Sequence, residues 1–327
     1  MSLVINGELR TDWLEAETEA GEFVRQDSQF RNWVTADGVA GPSGESGFAA
    51  EPGRYHLYVS HACPWAHRTL IFRKIKKLEQ VISVSVVNPY MGPTGWSFET
   101  YPGATPDTVN QAEHMYQVYL LAQPDYSGIV TVPVLWDKKR KTIVNNESSE
   151  IIRMFNSAFA GHAEPSADYY PEALCGDIDA INAFVYDNVN NGVYRVGFAR
   201  TQQAYNEAFD RLFDALDHLE HLLGKQRYLV AGQITEADWR LFTTLLRFDA
   251  VYVGHFKCNA RRIYDYPNLH NYLLELYQIP GIDETVNMDH IKQHYYTSHP
   301  EINPTGIVPR GPLLNFDQPH NRKRAYD

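Results

Sequence analysis

The stretch RYHLYVSHACPWAHRTLIFRKIKK, residues 54–77, constrains this chain more than any other. Tyr55, Leu57 and Val59 alternate with His56, Tyr58 and Ser60, the period of a β-strand. Cys63 follows, then Pro64, which suits the first turn of a helix because its missing N–H would be unpaired there. Beyond it Leu70, Ile71, Ile75 and Leu78 recur at helical spacing, with Arg68, Arg73, Lys74, Lys76 and Lys77 on other faces and towards the end. A helix ending near Leu78 is expected. Strand, turn, cysteine and helix in that order put Cys63 at the positive end of a helix dipole, where thiolate, a nucleophile, is favoured over thiol. A lone cysteine is also compatible with a small buried hydrophobe. A metal reading of His61, Cys63 and His67 lacks the second ligand pair of a zinc site.

The 327 residues, 44% of them apolar, suffice for two domains with real cores. A net charge of −11 argues against a nucleic acid as the main partner. Cys63, Cys175 and Cys258 are too few and too scattered for a disulfide framework, which suits a reducing compartment. The chain opens without a signal-like apolar run and no segment approaches a membrane span, so a cytoplasmic protein with no membrane partner is expected.

Residues 1–50 read as a polar extension anchored by Trp13, Phe23, Phe30 and Trp33. A second strand over 82–87, after the helix, implies a parallel crossover. The stretch 88–107 is a long Pro- and Gly-rich loop carrying Trp96, whose ring can pack on its own loop or on a ligand. A helix is expected over 109–121, and a strand over 131–136 that contains Pro133. A Pro in such a place sits at an edge or in cis, and leaves the N–H and C=O of Val132 able to pair with an extended peptide. Glu147 and Ser148 precede a helix marked by Ile151, Ile152, Met154 and Phe155. They can cap that helix, or meet the amine and carboxylate of a ligand. Together these elements define an α/β domain over 51–160. After a linker, 170–300 reads as all-helical, with a core stripe over 207–223, a capping box at Thr235 and Asp238, and helices over 239–250 and 268–278. The tail, 301–327, is expected to be irregular.

CPWAHR after a strand, VTVPVLWD, NNESSEIIRMFN, NNGVY, ITEADWRL and RFDAVYVGHFKCN, in that order, resemble the glutathionyl-hydroquinone reductases, the xi class of glutathione transferases. The likeness runs through nearly the whole chain, the INPTGI segment included. It implies a thioredoxin-like N-terminal domain and an all-helical C-terminal domain, in a homodimer. It implies glutathione as cosubstrate with no metal, and aromatic glutathionyl-hydroquinones as substrates. Cys63 would be the nucleophile. Trp96, Val132, Glu147 and Ser148 would bind glutathione, with Pro133 in cis. Tyr194, Tyr252 and Tyr295 would face the hydroquinone, Tyr194 being a candidate proton donor. A phenol can stack on an aromatic ring and hydrogen-bond a departing phenolate. For each tyrosine a packing role is the simpler alternative, and Tyr296 rivals Tyr295.

Ile129 stands where this family often carries a basic residue that contacts glutathione, so weaker glutathione binding is expected unless another cation, such as one of 138–141, substitutes. Ala66 replaces the second cysteine of a CxxC, which favours a monothiol route. Three other readings stay open: a broader thioltransferase or dehydroascorbate reductase on the same thiolate, a conjugating transferase, and a non-enzymatic ligand- or partner-binding protein.

Overall fold

The computed structural model describes residues 2–11 and 21–322, so the expected anchor Trp13 lies outside the described residues. The chain divides into two compact units. The first holds Gln26–Ala167, the N-terminal strands and Thr285–Ser298. The second holds Asp168–Glu284 with described residues 21–25 and 299–322.

In the first unit β1 (Ser2–Ile5) and β2 (Glu8–Arg10) form a hairpin. Its turn is Asn6-Gly7, both at positive φ (51° and 80°), the pairing that two-residue hairpins require. The expected extension therefore begins as part of a sheet, since β1 also pairs antiparallel with β7 (Gly128–Val130). Further on Phe30 packs on Tyr119 and Tyr126, each at 5.7 Å, as an anchor does, whereas the Trp33 indole donates to Ser43 Oγ within the same stretch.

The main sheet has four strands. β3 (Tyr55–Val59) is parallel to β4 (Ser83–Val86) and antiparallel to β8 (Val134–Asp137), which pairs with β9 (Thr142–Asn145). Both faces of β3 are covered, so its alternating sequence is buried throughout. α1 (Pro64–Ile75) follows β3 and packs beside α3 (Ser148–Ser157). This β-α-β, β-β-α arrangement is a thioredoxin-like unit.

Two local expectations are corrected. Residues 131–133 are not strand. β7 belongs to the N-terminal sheet and β8 to the main one, and the cis Val132–Pro133 bond lies where the chain passes between them. The helix expected from 109 starts only at Met115 (α2, Met115–Ala122), after the two-residue strands β5 (Met91–Gly92) and β6 (Gly95–Trp96). The Asp107 carboxylate accepts the N–H groups of Val109, Asn110 and Ala112, which holds those residues in a turn instead.

The second unit is helical: α4 (Cys175–Val185), α5 (Gly192–Gly197), α6 (Gln202–Leu223), α7 (Glu236–Arg247) and α8 (Pro267–Tyr277). α6 buries Leu212, Phe213, Leu216, Leu219 and Leu223, the stripe that the sequence spacing predicts. α7 is buried along its whole length and begins with the expected capping box of Thr235 and Asp238. A last helix, α9 (Met288–Thr297), which the periodicity did not reveal, packs in the first unit rather than with the helical residues before it.

Two buried histidines give the fold an acid limit. Desolvation holds His56 in β3 and His255 in the second unit down to about 4. The unfolded chain, with ordinary histidines near 6.5, then binds more protons than the folded one between those values. Stability is fully present above pH 6.5 and falls as the pH drops towards 4, by about 3 kcal/mol per histidine. Urea midpoints from pH 7 to 4 should fall steeply in the wild type and less so in His56→Phe. An equal slope in both would refute the assignment.

Candidate active site

Cys63 is the N-cap of α1, in extended conformation, with Pro64 as the first helical residue. The fold thus delivers what the local sequence demands: a half-buried sulfur at the positive end of a helix. Tertiary structure adds the neighbour. The sulfhydryl lies 3.5 Å from the Val132 carbonyl oxygen, so the residue before the cis Pro133 is beside the thiol although 69 residues away in sequence.

Glu147 is the N-cap of α3, and its Oε1 accepts from Ser149 N at 2.9 Å. Capping therefore occupies one carboxylate oxygen, while Oε2 accepts from Ser28 Oγ at 3.3 Å. Ser148, at the first helical position, is buried, and its hydroxyl accepts from Arg68 Nη1 at 3.5 Å. Arg68 was expected on a face apart from the apolar residues of its helix, and it is only 1% exposed. Its guanidinium lies 4.5 Å over the Trp65 ring, where the planar cation stacks. A buried cation in the α1–α3 layer adds positive potential next to Ser148. Its sequence signal was only its place within CPWAHR.

Trp96 is buried, so its ring does pack, but on a distant partner. It stacks on His294 of α9 with centroids 4.6 Å apart and an interplanar angle of 25°. Tyr295 is the next residue and is buried as well.

Ile129 is half-buried in β7, opposite Leu3 of β1. The turn at 138–141 carries the cations that were open as substitutes for a basic residue at 129. That turn closes the β8–β9 hairpin at the end away from Pro133, about 13 Å along the strand. There Lys139 pairs with Glu51 and Arg140 with Glu45.

In the second unit Tyr194 and Tyr252 lie 6.2 Å apart in a ring cluster with Phe23, Phe198 and Phe256. Each tyrosine stands at or just beyond a widened helical turn, Phe248–Tyr252 and Tyr186–Asn190, closed by bonds such as Val253 N to Phe248 O at 3.0 Å. Such turns shift the helical register and re-aim the side chains that follow. Tyr252 is fully buried, Tyr194 half-buried, and Arg25 lies 5.1 Å over the Tyr194 ring. Cys258, in the same unit, is fully buried, which pushes its thiol well up. Among the described residues no group of His, Cys, Asp or Glu could hold a metal ion, and no helix is long and apolar enough to cross a membrane.

Comparison with known proteins bears on the whole of this arrangement. The glutathione S-transferase N-terminal domain matches residues 62–158, and the C-terminal domain matches 202–275. The chain is 58% identical to the glutathionyl-hydroquinone reductase YqjG of Escherichia coli (strain K12), over 98% of both chains. The glutathione-bound structure of that protein superposes with a TM-score of 0.90, at 57% identity over 98% of this chain and 99% of that one. The glutathionyl-hydroquinone reductase PcpF of Sphingobium chlorophenolicum is 54% identical over 95% of this chain and 96% of its own length. A xi-class glutathione transferase from Natrialba magadii gives a TM-score of 0.92 at 50% identity, over 99% and 98% of the two chains. With the thiol-bearing thioredoxin-like unit and the helical unit both matched, this chain belongs to the glutathionyl-hydroquinone reductases, the xi class of the glutathione S-transferases.

Proposed function

We propose that the protein is a glutathione-dependent reductase that removes glutathione from glutathionyl-hydroquinones, with Cys63 as the nucleophile. The observation that carries the residue assignment is the helix-capping thiol 3.5 Å from the carbonyl that precedes a cis proline. The Val132 backbone is thereby available to an extended tripeptide-like ligand beside the sulfur. Glu147 and Ser148 at the start of α3 suit the amine and carboxylate of its γ-glutamyl end, and Trp96 offers an indole edge.

The Cys63 thiolate attacks the glutathione sulfur of the substrate. A Cys63–glutathione disulfide forms and the aromatic carbon–sulfur bond breaks. The bond's electron pair stays with the ring carbon, which takes a proton, and the hydroquinone leaves. Tyr194, Tyr252 and Tyr295 are proposed to face that aromatic group, with Tyr194 as candidate donor. A glutathione thiolate then attacks the disulfide, releasing oxidised glutathione and restoring the Cys63 thiolate. Overall one glutathione thiol and the thioether sulfur of the substrate become the disulfide, while the ring carbon gains the electron pair and a proton, so the electrons balance without a metal or nucleotide. Ile129 brings no donor to the bound tripeptide, which supports a raised glutathione requirement. A homodimer, on family likeness, and a cytoplasmic location, on the three scattered cysteines, complete the reading.

Wild-type protein mixed with excess glutathionyl-menadiol and no free glutathione should release one equivalent of menadiol. Mass spectrometry should then find one glutathione on Cys63. Menadiol release without that adduct would sink the disulfide route.

A further inference from the structure

We propose that α9 is a clasp for the loop that carries Trp96, and that His294 is a positioning residue for glutathione binding. This rests on the reading that Trp96 contacts glutathione.

The loop has little regular structure of its own. β5 and β6 are two residues each, joined by the Met91–Trp96 and Gly92–Gly95 pairs. α9 supplies further anchors. His290, His294 and Ser298 recur at four-residue spacing, which aligns them along one face of the helix and its cap. Each meets the loop backbone. His290 Nε2 donates to Pro102 O at 2.7 Å, His294 Nδ1 donates to Pro89 O at 3.0 Å, and Met91 N donates to Ser298 Oγ at 3.0 Å. Tyr101 adds a hydroxyl bond to Asp289 at 2.8 Å. The approach is tight at Gly103, at φ +87°, where a Cβ would come within 2.9 Å of Asn287 Nδ2. A side chain there would press the loop off the helix start.

His294 acts twice. Its Nδ1–H fixes Pro89 at the head of the loop, and its ring face supports the Trp96 indole at 4.6 Å. Both rings are more than 90% buried, so the stack is shielded from competing water. The indole is thereby held in one orientation before ligand arrives, which removes an ordering cost from binding. Tyr295 is carried on the same helix turn, so the clasp sets a proposed glutathione contact and a proposed hydroquinone contact from one element.

The test is the KM for glutathione at saturating glutathionyl-menadiol, with kcat, in full-length protein. His294→Ala should raise KM roughly three- to tenfold, the worth of one aromatic pair, and leave kcat within about twofold. His294→Phe, which keeps a ring face, should recover most of that loss, and His294→Asn should not. The fluorescence difference between each protein and its Trp96→Phe partner isolates the Trp96 signal. It should change in His294→Ala at temperatures where both proteins are folded, which general destabilisation would not produce. If Trp96→Ala raises KM and His294→Ala does not, the clasp is overturned and the Trp96 reading stands. If Trp96→Ala leaves KM unchanged, the Trp96 reading itself fails. Should His294→Ala not fold, the Phe and Asn variants decide: the opposite order of their KM values overturns the proposal.

Discussion

Cys63→Ser should lower turnover of a glutathionyl-hydroquinone by roughly 10³-fold or more, since both halves of the reaction pass through the sulfur. A serine hydroxyl at the same helix start stays protonated at neutral pH and cannot form the mixed disulfide. Binding should survive, because the Val132 backbone and the start of α3 are untouched: the dissociation constant for S-methylglutathione should move by about threefold at most. Cys175→Ser, altering a thiol in the helical unit that faces the carbonyls of Tyr170 and Pro171, should leave the rate within about twofold. Menadiol released by Cys63→Ser at the wild-type rate would end the thiolate mechanism. Lost binding together with lost rate would instead mean that the substitution damaged the site's shape.

The largest expected stability effect is at Asp238. Its carboxylate is fully buried and accepts four bonds: Leu229 N and Tyr272 OH on Oδ1, Thr235 N and Oγ1 on Oδ2, all at 2.7–3.2 Å. It closes the capping box of α7, ties the 229 loop to that helix, and holds Tyr272 of α8. Burial raises its pKa and the four donors oppose that rise. Asp238→Ala would leave these donors buried without an acceptor, a loss of about 3–5 kcal/mol. Thr235→Ala, which removes the cap and one of the four donors but keeps the carboxylate, should cost about 1–2 kcal/mol. In calorimetry the Ala variant at 238 should melt roughly 6–20 °C lower. A shift no larger than that of Thr235→Ala would show that the network contributes little beyond the cap.

Much of the site was legible from local sequence. The Cys63–Pro64 helix start, the oddity of Pro133 within extended sequence, the Glu147–Ser148 cap and the Thr235–Asp238 box are each settled within a few residues. They depend on φ restriction, on missing or orphaned N–H groups, and on side chains that reach back one turn. Asn6-Gly7 was equally local as a hairpin signal, yet residues 1–50 were expected as an extension, because β1 and β2 are only four and three residues long.

What only the tertiary structure decided concerns partners far along the chain. Arg68 carries a charge on a helix, which by itself predicts an outer face. Its burial follows from the Trp65 ring and the Ser148 hydroxyl, the latter 80 residues away. Trp96 was open between its own loop and a ligand, and its ring meets a third partner, His294, 198 residues on. Pro133 was placed inside one strand, but two sheets compete for the chain on either side of it. α9 lies in sequence beside the helical unit and packs in the thioredoxin-like one, with His294 reaching Pro89 across 205 residues. The sequence by itself determined a cysteine at a helix start and a proline in extended backbone, because dihedral limits and caps act within a turn. The burial of Arg68, the pairing of Trp96 with His294 and the placement of α9 required the folded chain, because long-range packing energies are shared among residues that no short window contains.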